Sequence, residues 1–212
     1  AMASGESRWI TSAAARRDVH RLRAQSSAIL TGIGTVLADD PSLTVRLPAE
    51  TLGEAVIVGG IRQPLRVVLD PQLRLPPSAR LLREPGQTLV LYSHGQPGRI
   101  ETLTAAGASV VELPGGPEFV DLRSVLSHLA GLQINEVLIE AGPTLAGAAM
   151  SAGLVDELLI YLAPHLMGDE ARPLLRLPGL HSMADRLELD ILDIRALGRD
   201  WRIRARSCER EK

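Results

Sequence analysis

The sequence predicts an α/β fold with a mainly parallel central sheet, flanked by helices and followed by antiparallel C-terminal strands. Three observations carry this. Short apolar runs at residues 28–30, 65–70, 88–92, 110–113 and 137–139 alternate with segments of helical character. Two of these runs lead directly into glycine-rich turns, Gly32-Ile33-Gly34-Thr35 and Ala141-Gly142-Pro143-Thr144. Beyond residue 187 apolar and polar residues alternate instead, which is the pattern of an antiparallel sheet with one solvated face.

Taken in order, residues 1–7 are small and polar and read as a loop, and Trp9 to Ser12 lead into a helix capped by Thr11 or Ser12. Ala15, Val19, Leu22 and Ser26 form its inward stripe. Arg16, His20 and Arg23 run along an adjacent flank, and Arg23 sits at the helix end, where a cation complements the dipole. A solvated basic face is the plain alternative for that flank. The strand at 28–30 and its glycine turn precede a short helical turn at 36–41, stopped by Pro41. There Asp39 and Asp40 form either a paired-carboxylate acid/base site or the end of a turn. Residues 42–46 read as a loop presenting Arg46, and residues 47–63, which lack periodicity, as a connection.

Pro71 ends the strand at 65–70, and Ser93-His94-Gly95 turns the chain after 88–92. A helix at 98–106, a strand at 110–113 and a helix capped by Asp121 and running to Leu129 complete the alternation. The strand at 157–163 stops at Pro164, and residues 165–185 have no strong period. Leu187, Leu189 and Ile191 alternate with polar residues until Leu192 and Ile194 slip the phase, which predicts a β-bulge. Trp201, Ile203 and Ala205 alternate with Arg202, Arg204 and Arg206. That basic, solvated face reads as a charged edge against aggregation, a subunit contact or a nucleic-acid patch.

The stretch from Glu136 to Gly153 organises the rest. Val137, Leu138 and Ile139 form a buried strand, Glu140 stands at its end, and the turn opens a small-residue helix over 145–152. Gly142 permits close backbone approach, and Pro143 suits the first helical position, where a missing N–H costs nothing. Amides from Thr144 onward then point out of the helix N-terminus and favour an anion such as a pyrophosphate, with the Thr144 hydroxyl as a further donor. A plain structural turn is the competing reading. Gly147, Ala148 and Ala149 allow close packing on the sheet or on a ligand. Glu140 lies where open α/β sheets bind ligands, or else is a surface glutamate paired with an arginine.

Composition narrows the function classes. Aromatics at 2% leave no stacking platform for single-stranded nucleic acid, and a net charge of −2 gives no long-range attraction to a polyanion. Lys212 is the only lysine, so lysine chemistry is absent from the body of the chain. The single Cys208 and five scattered histidines offer no zinc-ligand spacing, so no metal is expected. No apolar run reaches membrane-spanning length and no signal-peptide pattern opens the chain; the expected location is cytoplasmic.

Several stretches together, SGESRWITSAAARRDVHRLRAQSSAILTGIGTVLADDPSLTVR, RQPLRVVLD, IEAGPTLAGA and GLVDELLIYLAPHLMG, resemble the reductase domain of the bifunctional riboflavin-biosynthesis deaminase/reductase. The resemblance spans nearly the whole chain. It implies a dihydrofolate-reductase-like fold, one NADPH-dependent reductase domain over residues 1–212, and reduction of a phosphoribosylamino-pyrimidine to its ribitylamino form. The substrate contacts it implies are Ser7, Arg23, Leu43, Arg46 and Glu140, with Glu140 the candidate for a role in catalysis. The NADPH contacts it implies are Trp9, Thr35 and Asp39, with Gly142, Pro143, Thr144, Leu145, Ala146, Gly147 and Ala148 around the pyrophosphate. Arg23 and Arg46 are expected to anchor the substrate's phosphate.

Members of that family begin this domain with a further strand, an S-L-D-G turn and a lysine, and carry a deaminase half. This chain starts after both, so the resemblance implies a sheet without one central strand. Pro71 also stands where members often have Ser or Thr. Long C-terminal strands suggest a homodimer. Two rival functions fit parts of the same sequence: a catalytically inactive nucleotide-binding or assembly module of this fold, and a related reductase acting on another pterin-like or aminopyrimidine substrate.

Overall fold

The five apolar runs become one parallel sheet whose inner strands are covered on both faces. The strands are β1 (Ala28–Gly32), β2 (Leu65–Leu69), β3 (Thr88–Tyr92) and β4 (Ser109–Glu112), then a small hairpin of β5 (Gly115–Gly116) and β6 (Phe119–Val120), then β7 (Val137–Ile139). The order across the sheet is β4-β3-β2-β1-β7, with every neighbour parallel. The helices are α1 (Ala13–Gln25), α2 (Ile33–Asp39), α3 (Arg80–Arg83), α4 (Pro97–Ala105), α5 (Leu122–Gly131) and α6 (Pro143–Ser151). This computed structural model describes residues 9–47 and 61–208.

Alternate side chains of the sheet feed two cores. Val68 and Val90 join Ile33 and Val36 of α2, Leu81 of α3 and Leu103 of α4 on one face. Leu30, Val67, Leu69, Leu89 and Leu91 meet Val125 and Leu129 of α5 on the other. Both faces being buried explains why these strands read as continuous apolar runs. Each fully buried Leu or Val contributes roughly 1.5–3 kcal/mol from surface removed from water. Arg66 is buried within β2 because its guanidinium donates to the carbonyls of Glu84, Pro85 and Gly86 and to the Thr88 hydroxyl.

Most elements fall where the pattern places them. Ser12 Oγ accepts the Ala15 N–H at 3.4 Å, so Ser12 rather than Thr11 caps α1. Asp121 caps α5 by accepting the Ser124 N–H at 2.8 Å. Pro143 is the first residue of α6. Two expectations change. The inward stripe of α1 is buried fully only at Ala15, while Asp18 and Arg23, off that stripe, are buried too. Gly32-Ile33-Gly34-Thr35 is not a separate turn: β1 extends to Gly32, which serves as N-cap of α2. The chain reverses there with no intervening loop.

By contact density the chain divides into His20–Leu145, just described, and Ala1–Val19 with Ala146–Lys212. The second unit contains β8 (Leu158–Leu162), β9 (Leu189–Leu197) and β10 (Asp200–Ser207), an antiparallel sheet in the order β8-β10-β9. Arg204 pairs with Asp193 but Ala205 with Ile191, so Leu192 is the extra residue of a β-bulge, as the phase slip predicts. The arginine face of β10 is not freely solvated. Arg202 donates to Asp18 at 3.0 Å and Asp193 at 3.2 Å, and the Tyr161 hydroxyl donates to the same Asp18 at 2.7 Å. Arg204 faces Glu157 and Arg206 faces Asp190. Carboxylates pair with the stripe, and β10 lies between β8 and β9, so it is not the charged edge strand that the alternation suggests.

Candidate functional site

Because the strands are parallel, their carboxyl ends share one sheet edge, and β1 and β7 are neighbours there. The Glu140 N–H donates to the Leu30 carbonyl at 2.9 Å, carrying the ladder one residue beyond β7. Glu140 is thereby fixed at the strand end, two residues before the glycine of the turn. An added Cβ at Gly142 would meet only Thr35 Oγ1, at 3.9 Å, so the turn opens beside the first turn of α2. Asp39 lies four residues after Thr35, on the same helix face and about 6 Å further along the axis.

Among the described residues, the N–H groups of Gly142, Thr144 and Leu145 donate to no protein acceptor. Gly142 and Thr144 are exposed. Free amides at the positive end of a helix, with space above the glycine, fit a phosphate-bearing cofactor. Leu145 offers only its amide, since its side chain packs into the core beside Gly32. In the other unit, Ala148 is exposed, and a Cβ on Gly147 would sit 2.0 Å from the Arg176 carbonyl oxygen. The smallness of Gly147 therefore lets the backbone of Arg176 cross α6, the packing role.

Asp40 is not half of a paired acid. It adopts a left-handed conformation at φ 40°, donates its N–H to the Val36 carbonyl, and accepts the Arg80 N–H at 2.8 Å. It ends α2 and begins α3.

Arg23 and Glu140 meet in a bidentate pair. Arg23 Nε donates to Glu140 Oε2 at 2.8 Å, and Nη2 donates to Oε1. Arg23 Nη1 donates to the Thr44 carbonyl at 2.9 Å. The expected arginine partner of Glu140 is thus another predicted site residue. Of five guanidinium N–H groups three are engaged, so two remain on Arg23 for a ligand, and each carboxylate oxygen retains a lone pair. Arg46 is exposed, and among the described residues no carboxylate pairs with it.

Among the described residues the segment carrying Arg46 pairs with no strand, yet side chains take its backbone groups as a ladder would. Arg23 holds the Thr44 carbonyl, Gln63 holds both the N–H and the carbonyl of Val45 at 2.8 and 3.1 Å, and His20 Nδ1 accepts the Arg46 N–H at 3.2 Å. Leu43 enters this segment at φ 48° with its side chain buried, a conformation rare for leucine. Its side chain belongs to the interior, and its backbone sets the course of the loop. The Thr44 hydroxyl is buried and has no partner among the described residues. Sequence reading passed over His20, Thr44 and Gln63 as site residues. His20 was legible as the residue three before Arg23; Gln63 carried no signal.

An open cavity of about 600 Å³ lies at the carboxyl ends of β2 and β3, lined by Gln72, Arg74, His94, Gln96 and Arg99 among others. At ~4.8 Å per strand it stands two to three strands, roughly 10–14 Å, from β7. Trp9 belongs to the second unit, is 72% exposed and lies under the Arg16 guanidinium at 4.3 Å. Ser7 lies outside the described residues. Among them no helix is long and apolar enough to cross a membrane.

The family described as RibD C-terminal domain matches residues 1–203. The riboflavin biosynthesis protein RibD of Escherichia coli (strain K12) is 46% identical over 206 residues, covering 94% of this chain and 54% of that protein. A protein named 5-amino-6-(5-phosphoribosylamino)uracil reductase, from Buchnera aphidicola subsp. Acyrthosiphon pisum, is 34% identical over 206 residues, 95% of this chain and 97% of its own length. Among solved structures, form 2 of Acinetobacter baumannii RibD superposes with a TM-score of 0.84 at 38% identity, covering 98% of this chain and 54% of that one. The chain spans about half the length of the RibD proteins it matches.

Proposed function

We propose that this chain, which belongs to the RibD C-terminal domain family, is an NADPH-dependent reductase that converts 5-amino-6-(5-phosphoribosylamino)uracil to its ribitylamino form in riboflavin biosynthesis. One observation carries the reading: a cradle of free amides at Gly142, Thr144 and Leu145 opens two residues from the Arg23–Glu140 pair, at the edge shared by β1 and β7. An anion site and a polar substrate site placed side by side are what hydride transfer to a phosphorylated sugar needs. The residues 1–212 act in this reading as one reductase domain, in the family's dihydrofolate-reductase-like fold; α1 and α6 each run unbroken across the division between units.

Bound NADPH supplies the hydride. The amides of the 142–145 turn and the Thr35 hydroxyl hold its pyrophosphate, with Asp39 further along the same face, and Trp9, Ala146, Gly147 and Ala148 complete the assigned cofactor set. Arg46, exposed and without an ion pair among the described residues, takes the larger share of the substrate's phosphate. Arg23 is largely committed to Glu140 and Thr44 and contributes its two remaining N–H groups. Glu140, held by Arg23 on both oxygens, accepts a hydrogen bond from the opened sugar or the pyrimidine and fixes C1′ for attack. Ser7 and Leu43 complete the assigned substrate set. NADPH oxidation that depends on the phosphoribosylaminouracil tests the function, and absence of substrate-dependent oxidation by the folded chain would overturn it.

The cavity at β2 and β3 supports a preference for NADPH over NADH. Arg74 and Arg99 around it offer guanidinium donors for a 2′-phosphate, in place of the hydroxyl that Pro71 cannot supply. Arg74→Ala is expected to weaken NADPH binding about 10-fold, the worth of one charge-assisted bond, while leaving NADH unchanged. Calorimetry with both nucleotides checks this; equal losses would place the 2′-phosphate elsewhere.

The chain is proposed to be a cytoplasmic homodimer. On β8, β9 and β10, Leu162, Trp201, Ile194 and Ile191 share one face by register and are 54%, 48%, 54% and 60% exposed. A second copy covering this apolar face explains why it is retained. Sedimentation equilibrium is expected to give twice the chain mass, and a monomer at micromolar concentration would refute it.

A further inference from the structure

Arg46 owes its position to neighbours, since among the described residues the segment around it pairs with no strand. Three side chains take its backbone groups, and the one on Arg46 itself is His20. On α1, His20 stands three residues before Arg23, so both present to the same loop from one helix face. The bond fixes the chemistry of the ring. An N–H donates to Nδ1, so Nδ1 carries a lone pair, and any ring proton of the neutral imidazole is on Nε2.

We infer that His20 is a positioning residue for substrate binding: its neutral imidazole holds the Arg46 backbone, and with it the guanidinium that receives the substrate's phosphate. This rests on the assignment of Arg46 as the phosphate anchor. A proton on Nδ1 would set two donors against each other and release the segment.

The surroundings favour the neutral ring. Burial, then the charges of Arg23 on α1 and Arg46 on the loop, push the His20 pKa below its ordinary 6.5, against the Glu140 carboxylate beyond β7 and the Thr44 carbonyl. The sign follows directly. Between the lowered folded pKa and 6.5 the unfolded chain binds more protons, so the stabilisation is complete above 6.5 and is lost as pH falls through that window. The hold on Arg46 weakens in the same direction.

Two variants test this by separating acceptor from charge. In His20→Asn an amide oxygen stands where Nδ1 was and does not titrate; His20→Ala removes the acceptor. Above the ordinary imidazole pKa, His20→Ala is expected to raise the KM for the phosphoribosylaminouracil about 5- to 10-fold with kcat and NADPH affinity unchanged, while His20→Asn stays within about twofold. On acidification, KM should rise more steeply for the unaltered chain than for His20→Asn; ionisation of the substrate phosphate, common to both, cancels in the comparison. Amide exchange at Arg46 gives a readout independent of turnover. Protection should persist in His20→Asn, disappear in His20→Ala, and weaken in the unaltered chain at acid pH. Unchanged KM in His20→Ala, equal losses in both variants, or an Arg46 amide whose protection ignores His20 would overturn the inference. If the unaltered chain protects the amide as described yet oxidises no NADPH with the substrate, the reductase assignment fails and the positioning contact stands.

Discussion

Gly142→Val is expected to abolish NADPH binding while leaving the chain folded. Space is the reason both halves hold. Gly142 is not among the residues with positive φ, and an added Cβ meets only Thr35 Oγ1 at 3.9 Å, so valine brings neither backbone strain nor a clash with protein. Its two methyl groups instead fill the room above the amides of Thr144 and Leu145, where a pyrophosphate would approach. Losing two charge-assisted hydrogen bonds, each worth roughly 1.5–3 kcal/mol, predicts a fall in affinity of at least about 100-fold. Calorimetric titration with NADPH, beside a thermal melt of the same variant, makes the measurement. Unchanged affinity in a variant that melts normally would sink the pyrophosphate assignment. Gly147→Val separates the roles of the two glycines: its Cβ would collide with the Arg176 backbone, so stability should fall there.

Arg46→Ala is expected to weaken the phosphorylated substrate by about 10-fold or more, with NADPH affinity unaltered. Removing Arg46 leaves no buried charge behind, because its guanidinium is exposed and unpaired with any carboxylate among the described residues. Arg23 is a different case. Taking it away would strand Glu140 and free the Thr44 carbonyl, so the loss of binding would be mixed with loss of structure. Arg46 therefore gives the cleaner test of phosphate anchoring. Steady-state KM for the phosphoribosylaminouracil and calorimetry with NADPH decide it; equal loss of both ligands would contradict the assigned role.

The contrast between the two arginines shows where sequence reasoning stopped. Both stood out as cations in motifs, and both carried the same expected duty toward a phosphate. Distances then divided them: Arg23 is held by Glu140 and Thr44 across 117 and 21 residues of chain. No local pattern encodes a partner at that separation. Gly142 and Gly147 divide in the same way, one beside open space and the other under a crossing backbone. The arginine stripe of β10 looked like a solvated face because alternation reports only which side of a strand a residue occupies. Asp18 and Asp193, which cover it, come from elsewhere in the chain.

By itself the sequence determined the order of the main strands and helices, the parallel sheet with its apolar strands, the cap at Asp121, the first turn of α6 at Pro143 and the bulge at Leu192, and it narrowed the cap of α1 to Thr11 or Ser12. It also placed Glu140 at a strand end and a turn opening a helix N-terminus just after it. These are consequences of short-range sterics, hydrogen bonding and periodicity, which act between residues a few positions apart. Only the tertiary structure decided that β1 and β7 are neighbours, that Arg23 closes on Glu140, and that His20, Gln63 and Arg23 hold the backbone on which Arg46 is carried. Those contacts depend on the register of distant segments, which is set by how two cores pack and not by any local preference of the residues that meet there.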